Sequence, residues 1–231
     1  MNPLSASKKI LSMAGELGRH PQELPYAMRW LHSMLPGHSP LFDEVPWITF
    51  RAIDWLENYL KPDMSVFEYG AGGSTLYLAK RVRNVVSVEH DEGFYKWVKD
   101  ILSQRTLQNC QLMLHKPEHC VESSRPFASF QDKYKGQCFE SYVRAIDSYP
   151  DQSFDLVLVD GRARVACVKQ ALAKIKPGGA LMLDNTDRPA YAEAGRLLSA
   201  AQHTDFPGLT PWNLEVSQTS VWQIPAQHAP A

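Results

Sequence analysis

The sequence lacks an excess of charge of either sign: 24 lysines and arginines stand against 25 aspartates and glutamates, a formal charge of −1. Neutralising a nucleic-acid backbone takes a surplus of cations, so that class of partner is set aside. Cysteine is scarce as well. Cys110, Cys120, Cys138 and Cys167 show no C-x-x-C spacing, so neither a zinc ribbon nor a redox pair is read from them, and they are expected to be buried or idle thiols. No apolar run approaches the about 20 residues that cross a bilayer, and Lys8 and Lys9 near the start are followed by no apolar core of a leader. The expectation is a cytoplasmic protein that handles a small molecule and needs neither membrane nor nucleic acid; oligomeric state is left open.

What is present is ordinary for a globular chain: 231 residues, 44% hydrophobic and 21% charged, enough for one domain with a sizeable core. Three divisions are expected. Residues 1–46, with Pro3, Pro21, Pro25, Pro36 and Pro40, read as an irregular N-terminal cap with helical patches at 10–17 and 26–35. Residues 47–224 read as the main domain, and 225–231 as a frayed tail.

From Trp47 the pattern sharpens. Ile48, Ala52, Ile53, Leu56 and Leu60 share one helical face until Pro62 stops it. The run Val66-Phe67-Glu68-Tyr69 enters Gly70-Ala71-Gly72-Gly73-Ser74-Thr75 and reopens as a helix through Leu76, Ala79 and Val82. Further strands are expected at 85–88, 110–114, 154–159 and 180–183, with helices near 94–102, 139–146, 165–175 and from Pro189 to about Gln202. Residues 116–153 form a long aromatic and polar insertion, the kind of segment that serves as a lid or binding loop. Such alternation implies a doubly wound α/β fold, a mostly parallel sheet with helices on both faces and a ligand beyond the carboxyl ends of its strands. Glu68, Glu89, His115, Asp160 and Asp184 all fall at those ends.

A glycine turn between strand and helix lets backbone approach a ligand closely. Here the third small position of a dinucleotide fingerprint is Thr75, and Glu68 just before the first glycine would repel a pyrophosphate. A carboxylate there suits a cofactor that carries an amino group. Glu89, at the end of the second strand, is placed to accept bonds from both hydroxyls of a ribose.

In these features, together with 154–160 and the Lys176-Pro177-Gly178-Gly179 turn, residues 47–224 resemble the class I S-adenosylmethionine-dependent methyltransferases. The resemblance implies a seven-stranded sheet whose last strand, expected at 219–224, is antiparallel. It implies S-adenosyl-L-methionine as cofactor, with Glu68, Gly70, Ala71 and Gly72 about its methionine end, Glu89 on the ribose, His90 or His115 with Lys116 at the adenine edge, and Ser74 and Asp160 also among the cofactor-binding residues. Asp160 would face the methyl group and substrate as base or orienting group, with Asp184 beside it. Asp160 and Asp184-Asn185 also resemble the oxygen ligands of the catechol and caffeoyl-coenzyme A O-methyltransferases, where a divalent metal lowers the pKa of a hydroxyl. Arg162 and Arg164 depart from that pattern. Either can neutralise Asp160 in place of a metal, so a metal is possible but not favoured, or with Arg188 they can grip an anionic group of the substrate.

Trp47, Phe127, Phe130, Tyr134, Phe139 and Tyr142 are candidates for pocket walls, of which two or three are expected to touch substrate. The favoured reading is O-methylation of a small molecule. The alternative is a nonenzymatic module that binds S-adenosylmethionine, which has no use for Asp160 or Asp184; a nicotinamide dehydrogenase is a distant third.

Overall fold

A computed structural model describes residues 14–15, 17–121 and 126–226. Most of the helical patch expected at 10–17, and 227–231 of the expected frayed tail, lie outside them.

The core is a sheet of seven strands in the order β3-β2-β1-β6-β7-β9-β8. These are β1 (Ser65–Tyr69), β2 (Asn84–Glu89), β3 (Cys110–Leu114), β6 (Phe154–Val159), β7 (Ile175–Asp184), β8 (Gln202–Leu209) and β9 (Val216–Gln223). Only β9 runs against the rest, antiparallel to both β7 and β8. The sequence reading of a mostly parallel sheet with an antiparallel last strand is what the chain adopts. The short strands β4 (Glu118–His119) and β5 (Gln137–Cys138) form a separate hairpin inside the insertion.

Alternation along the central strands explains the layers. Phe67, Tyr69, Val157, Val159, Leu181 and Leu183 face one apolar layer with Phe139, Tyr142 and Val168. Val66, Leu156, Leu158, Ala180 and Met182 face the other, with Trp30, Ile53, Leu56 and Leu78. Strands buried on both faces read as near-continuous apolar runs, which is why 154–159 was legible residue for residue. Helix α3 (Phe50–Tyr59) starts where the Thr49 hydroxyl accepts the Ala52 N–H and buries Ile53 and Leu56. Among the described residues no helix is long and apolar enough to cross a membrane.

Three expectations are corrected. The helix read from Pro189 to about Gln202 is a 3₁₀ turn followed by α8 (Ala192–Leu197), and Gln202 already begins β8. β8 is an edge strand with four exposed residues at its start and Pro207 and Gly208 near its end, so it carries no apolar alternation to read. The Lys176-Pro177-Gly178-Gly179 segment belongs to β7, where the register against β6 shifts as at a bulge and Gly178 has φ of 79°. Cys120 and Cys138, expected as idle thiols, are joined in a disulfide; pairing of Glu118 with Cys138 across the hairpin brings them together. Cys110 and Cys167 remain free.

The described part of the cap shares the core of the main domain. Buried Trp30 donates to the Asn213 carbonyl at 2.7 Å. Buried Glu23 accepts from Arg51 and from the Leu209 N–H. At the other end of the cap, α2 (Pro40–Asp43) lies against α4 (Gly73–Ala79) so closely that a Cβ on Gly73 would stand 2.0 Å from the Pro40 carbonyl oxygen.

Candidate active site

The glycine turn is built by two close approaches. Gly70 has φ of 99°, and a Cβ there would lie 2.9 Å from the backbone of Gly161 at the end of β6. Gly161 in turn leaves the room that the Tyr142 hydroxyl fills. Both positions therefore require glycine, one for its dihedral and both for space. The result is an open notch at the carboxyl ends of β1, β2 and β6, with a cavity of about 500 Å³. That is the size of a small-molecule site.

Gly70, Ala71, Gly72, Ser74, Glu89, His90 and Asp160 line this cavity together. Seven of the sequence candidates are thus brought to one place. The cap adds Ser39, Pro40 and Leu41, and Trp47 follows just after it; α5 (Glu92–Gln104) and the residue before it add Asp91, Phe94 and Trp97. The insertion adds Lys133 and Tyr134, and the loop after β6 adds Gly161 and Arg162.

Glu89 is held from one side. Its Oε1 accepts the Asp91 N–H at 2.7 Å and lies 2.8 Å from His90 Nδ1, while Oε2 makes no hydrogen bond with the described residues. The His90 ring is seated by Tyr134, whose hydroxyl lies 2.5 Å from Nε2, and by the edges of Phe139 and Tyr142. Of the expected aromatic walls, Trp47 and Tyr134 reach the cavity. Phe139 and Tyr142 are buried behind it, Phe130 is exposed against Tyr191, and Phe127 packs near Arg144.

Four candidates do not line the cavity. Glu68, wholly buried, lies behind the turn with Oε2 accepting from the hydroxyls of Thr75 at 2.6 Å and Ser87 at 2.5 Å. Burial pushes its carboxyl up to about 7, against those hydroxyls. In this position it fixes the glycine turn to β2, and Thr75 completes the link by accepting the Gly72 N–H. His115 sits half-buried at the end of β3, where burial lowers its pKa, and Lys116 is paired with Glu92. Asp184 is 3% exposed, its Oδ1 accepting from Thr219 at 2.7 Å.

Between the two aspartates lies Arg164, 5% exposed. Its Nη2 donates to Asp160 Oδ1 at 2.7 Å, its Nη1 donates to the Asp184 carbonyl at 2.5 Å and lies 3.7 Å from Asp184 Oδ2, and its Nε donates to the Gly161 carbonyl at 3.1 Å. Burial raises both carboxyls, Asp184 to about 7 with the charge of Asp160 contributing, while the guanidinium opposes the rise. A divalent metal does not fit here, because the cation that bridges the carboxylates is already part of the chain. Among the described residues no cluster of three or more His, Cys, Asp or Glu side chains is arranged to hold a metal. Asp160 keeps 24% of its side chain exposed.

The cap and α5 residues of the wall were missed by the sequence reading. Phe94 and Trp97 had a signal, since they stand three apart on the helix that follows Glu89. Ser39, Pro40 and Leu41 had none, because their place depends on the contact with Gly73.

No protein-family model matches the sequence, and no curated protein matches it. Solved structures do. A precorrin 8W decarboxylase from Methanobacterium thermoautotrophicum is 16% identical with a TM-score of 0.51, over 77% of this chain and 90% of that one. A Streptococcus mutans protein solved in complex with SAH is 14% identical with a TM-score of 0.51, over 74% and 94%. An rRNA methylase from Streptococcus thermophilus is 16% identical with a TM-score of 0.51, over 75% and 93%. The fold is that of the class I S-adenosylmethionine-dependent methyltransferases. The catechol-type resemblance drawn from Asp160 and Asp184-Asn185 is not shown by these structures.

Proposed function

We propose that the chain is an S-adenosylmethionine-dependent methyltransferase that methylates an oxygen of a small molecule. The observation that carries this reading is the convergence of Gly70, Gly72, Glu89 and Asp160 on one open cavity at the strand ends. The same fold holding SAH in the Streptococcus mutans protein supports it.

The residues fit the cofactor. Glu89 lines the cavity with its Oε2 free of hydrogen bonds to the described residues and would take the ribose hydroxyls; Gly70 and Gly72, without side chains, would admit the methionine end; His90 would border the adenosine. When bound, S-adenosylmethionine supplies a methyl group on a positive sulfur. The chain supplies alignment and a proton acceptor. Asp160 is partly open to the cavity, and its Oδ1 is fixed by Arg164, so its other oxygen can take the proton of an acceptor hydroxyl. Trp47, Phe94 and Trp97 offer apolar surface to the body of an acceptor. Because the Arg164 guanidinium already stands between the two aspartates, the proposed reaction proceeds without a divalent metal.

Calorimetric titration with SAH tests the reading. The wild type should bind with micromolar affinity, and Glu89→Ala should weaken binding by about 1–3 kcal/mol, since two hydroxyls lose a charged acceptor. Unchanged affinity would remove Glu89 from the site.

A further inference from the structure

The wall beside Asp160 carries more positive charge than its carboxylate uses. Arg164 is fully occupied by Asp160, Asp184 and backbone carbonyls. Arg162 is not. It lines the cavity two residues from Asp160, and among the described residues it makes no ion pair. Its Nη1 has only a 3.4 Å contact with the adjacent Gly161 carbonyl, and its Nε is buried without a hydrogen-bond partner. A guanidinium nitrogen withdrawn from water without an acceptor is unfavourable, and the described residues give the Arg162 head no strong acceptor to hold it in place.

Tyr134 fixes where this group stands. The Arg162 Cζ lies 5.3 Å from the Tyr134 ring centroid, and the Tyr134 hydroxyl is held by His90. Lys133 Nζ lies 4.7 Å from the same ring, lines the same cavity and makes no ion pair with the described residues. Two cations are thus gathered on one aromatic platform beside a carboxylate that is already paired. An anion in the cavity both residues line is attracted by each of them, and a guanidinium binds carboxylate or phosphate oxygens with directed, charge-assisted bonds.

We infer that the methyl acceptor carries an anionic group, carboxylate or phosphate, held by Arg162 and Lys133 while Asp160 meets its hydroxyl. The inference rests on the methyltransferase reading above. It explains how a cavity walled by Trp47, Phe94 and Trp97 orients an acceptor: the rings hold its body and the cations fix one end.

The test is calorimetry on the SAH-loaded protein with three probes, phenol, 4-hydroxybenzoate and phenyl phosphate. At least one anionic probe should bind about tenfold or more tightly than phenol, and which one does so tells carboxylate from phosphate. Arg162→Gln should abolish that advantage and Lys133→Gln reduce it, while SAH binds the Arg162 variant within about twofold of the wild type, which also shows that the variant is folded. Equal binding of all three probes overturns the proposal, as does an advantage that survives in Arg162→Gln. Weaker SAH binding by Arg162→Gln with unchanged binding of 5′-methylthioadenosine, which lacks the amino-acid carboxylate, would assign Arg162 to the cofactor and overturn it as well. Weaker binding of both would assign Arg162 to the nucleoside and overturn it equally. A wild type that does not bind SAH contradicts the methyltransferase reading and takes this inference with it, and that titration is separate from the probe series.

Discussion

Asp160→Asn should bind SAH as the wild type does and lose turnover by about a hundredfold or more. The substitution keeps an oxygen for the Arg164 Nη2–H that now reaches Oδ1 at 2.7 Å, so the loop and the Gly70–Gly161 contact stay in place. What disappears is the charge that accepts a proton. Burial raises the Asp160 pKa above the ordinary aspartate value, which strengthens it as a base but requires a higher pH to ionise it. The wild-type rate should therefore climb as pH rises through that raised pKa, and the variant should lack this limb. Measurement of kcat against pH for both proteins, with SAH affinity as the control, checks it. Equal turnover would return Asp160 to the role of an anchor for Arg164.

Arg164→Met should destabilise the fold by about 3–5 kcal/mol near pH 8 and by much less near pH 5. Removing one member of a buried charge cluster leaves the others without compensation, and a side chain of similar volume supplies packing only. Here the stranded groups are Asp160 and Asp184, together with the Gly161 and Asp184 carbonyls. The pH dependence follows from Asp184, whose folded pKa of about 7 lies above the about 3.9 of an unfolded aspartate. A raised group binds its proton more tightly when folded, so its contribution is complete below about pH 4 and is lost as pH rises through 7. Without the arginine both carboxyls rise further, the proton neutralises them at pH 5, and the deficit shrinks. Denaturant unfolding at the two pH values measures this directly. A deficit under about 1 kcal/mol, or one independent of pH, would show that the guanidinium does not couple the two aspartates.

Much of this site was legible because it rests on local patterns. Runs such as 154–159 are apolar on both faces and end abruptly in a carboxylate, and a strand end of that kind in a parallel sheet is where ligands bind. Glu89, Asp160 and the Gly70-Ala71-Gly72 turn needed nothing more. Residues whose role is set at a distance were not legible in the same way. Glu68 has the sequence position of a ligand residue, yet Thr75 and Ser87 draw it behind the turn. Arg164 was foreseen as a partner for Asp160, and Asp184 was expected beside it, but that one guanidinium reaches both depends on where the loop after β6 carries the arginine, which numbering does not display. The cap residues over the cavity depend on a glycine in α4 that lets Pro40 approach. β8 escaped because an exposed edge strand with a proline has no apolar alternation.

The notch between β1, β2 and β6 is proposed to hold S-adenosylmethionine with its methyl group toward Asp160. A crystal structure of the chain with SAH tests it most directly. Both ribose hydroxyls should lie on Glu89, the amino-acid end along Gly70-Ala71-Gly72, and the sulfur should be directed toward Asp160. SAH bound elsewhere, or bound here with the sulfur turned away from Asp160, would contradict it.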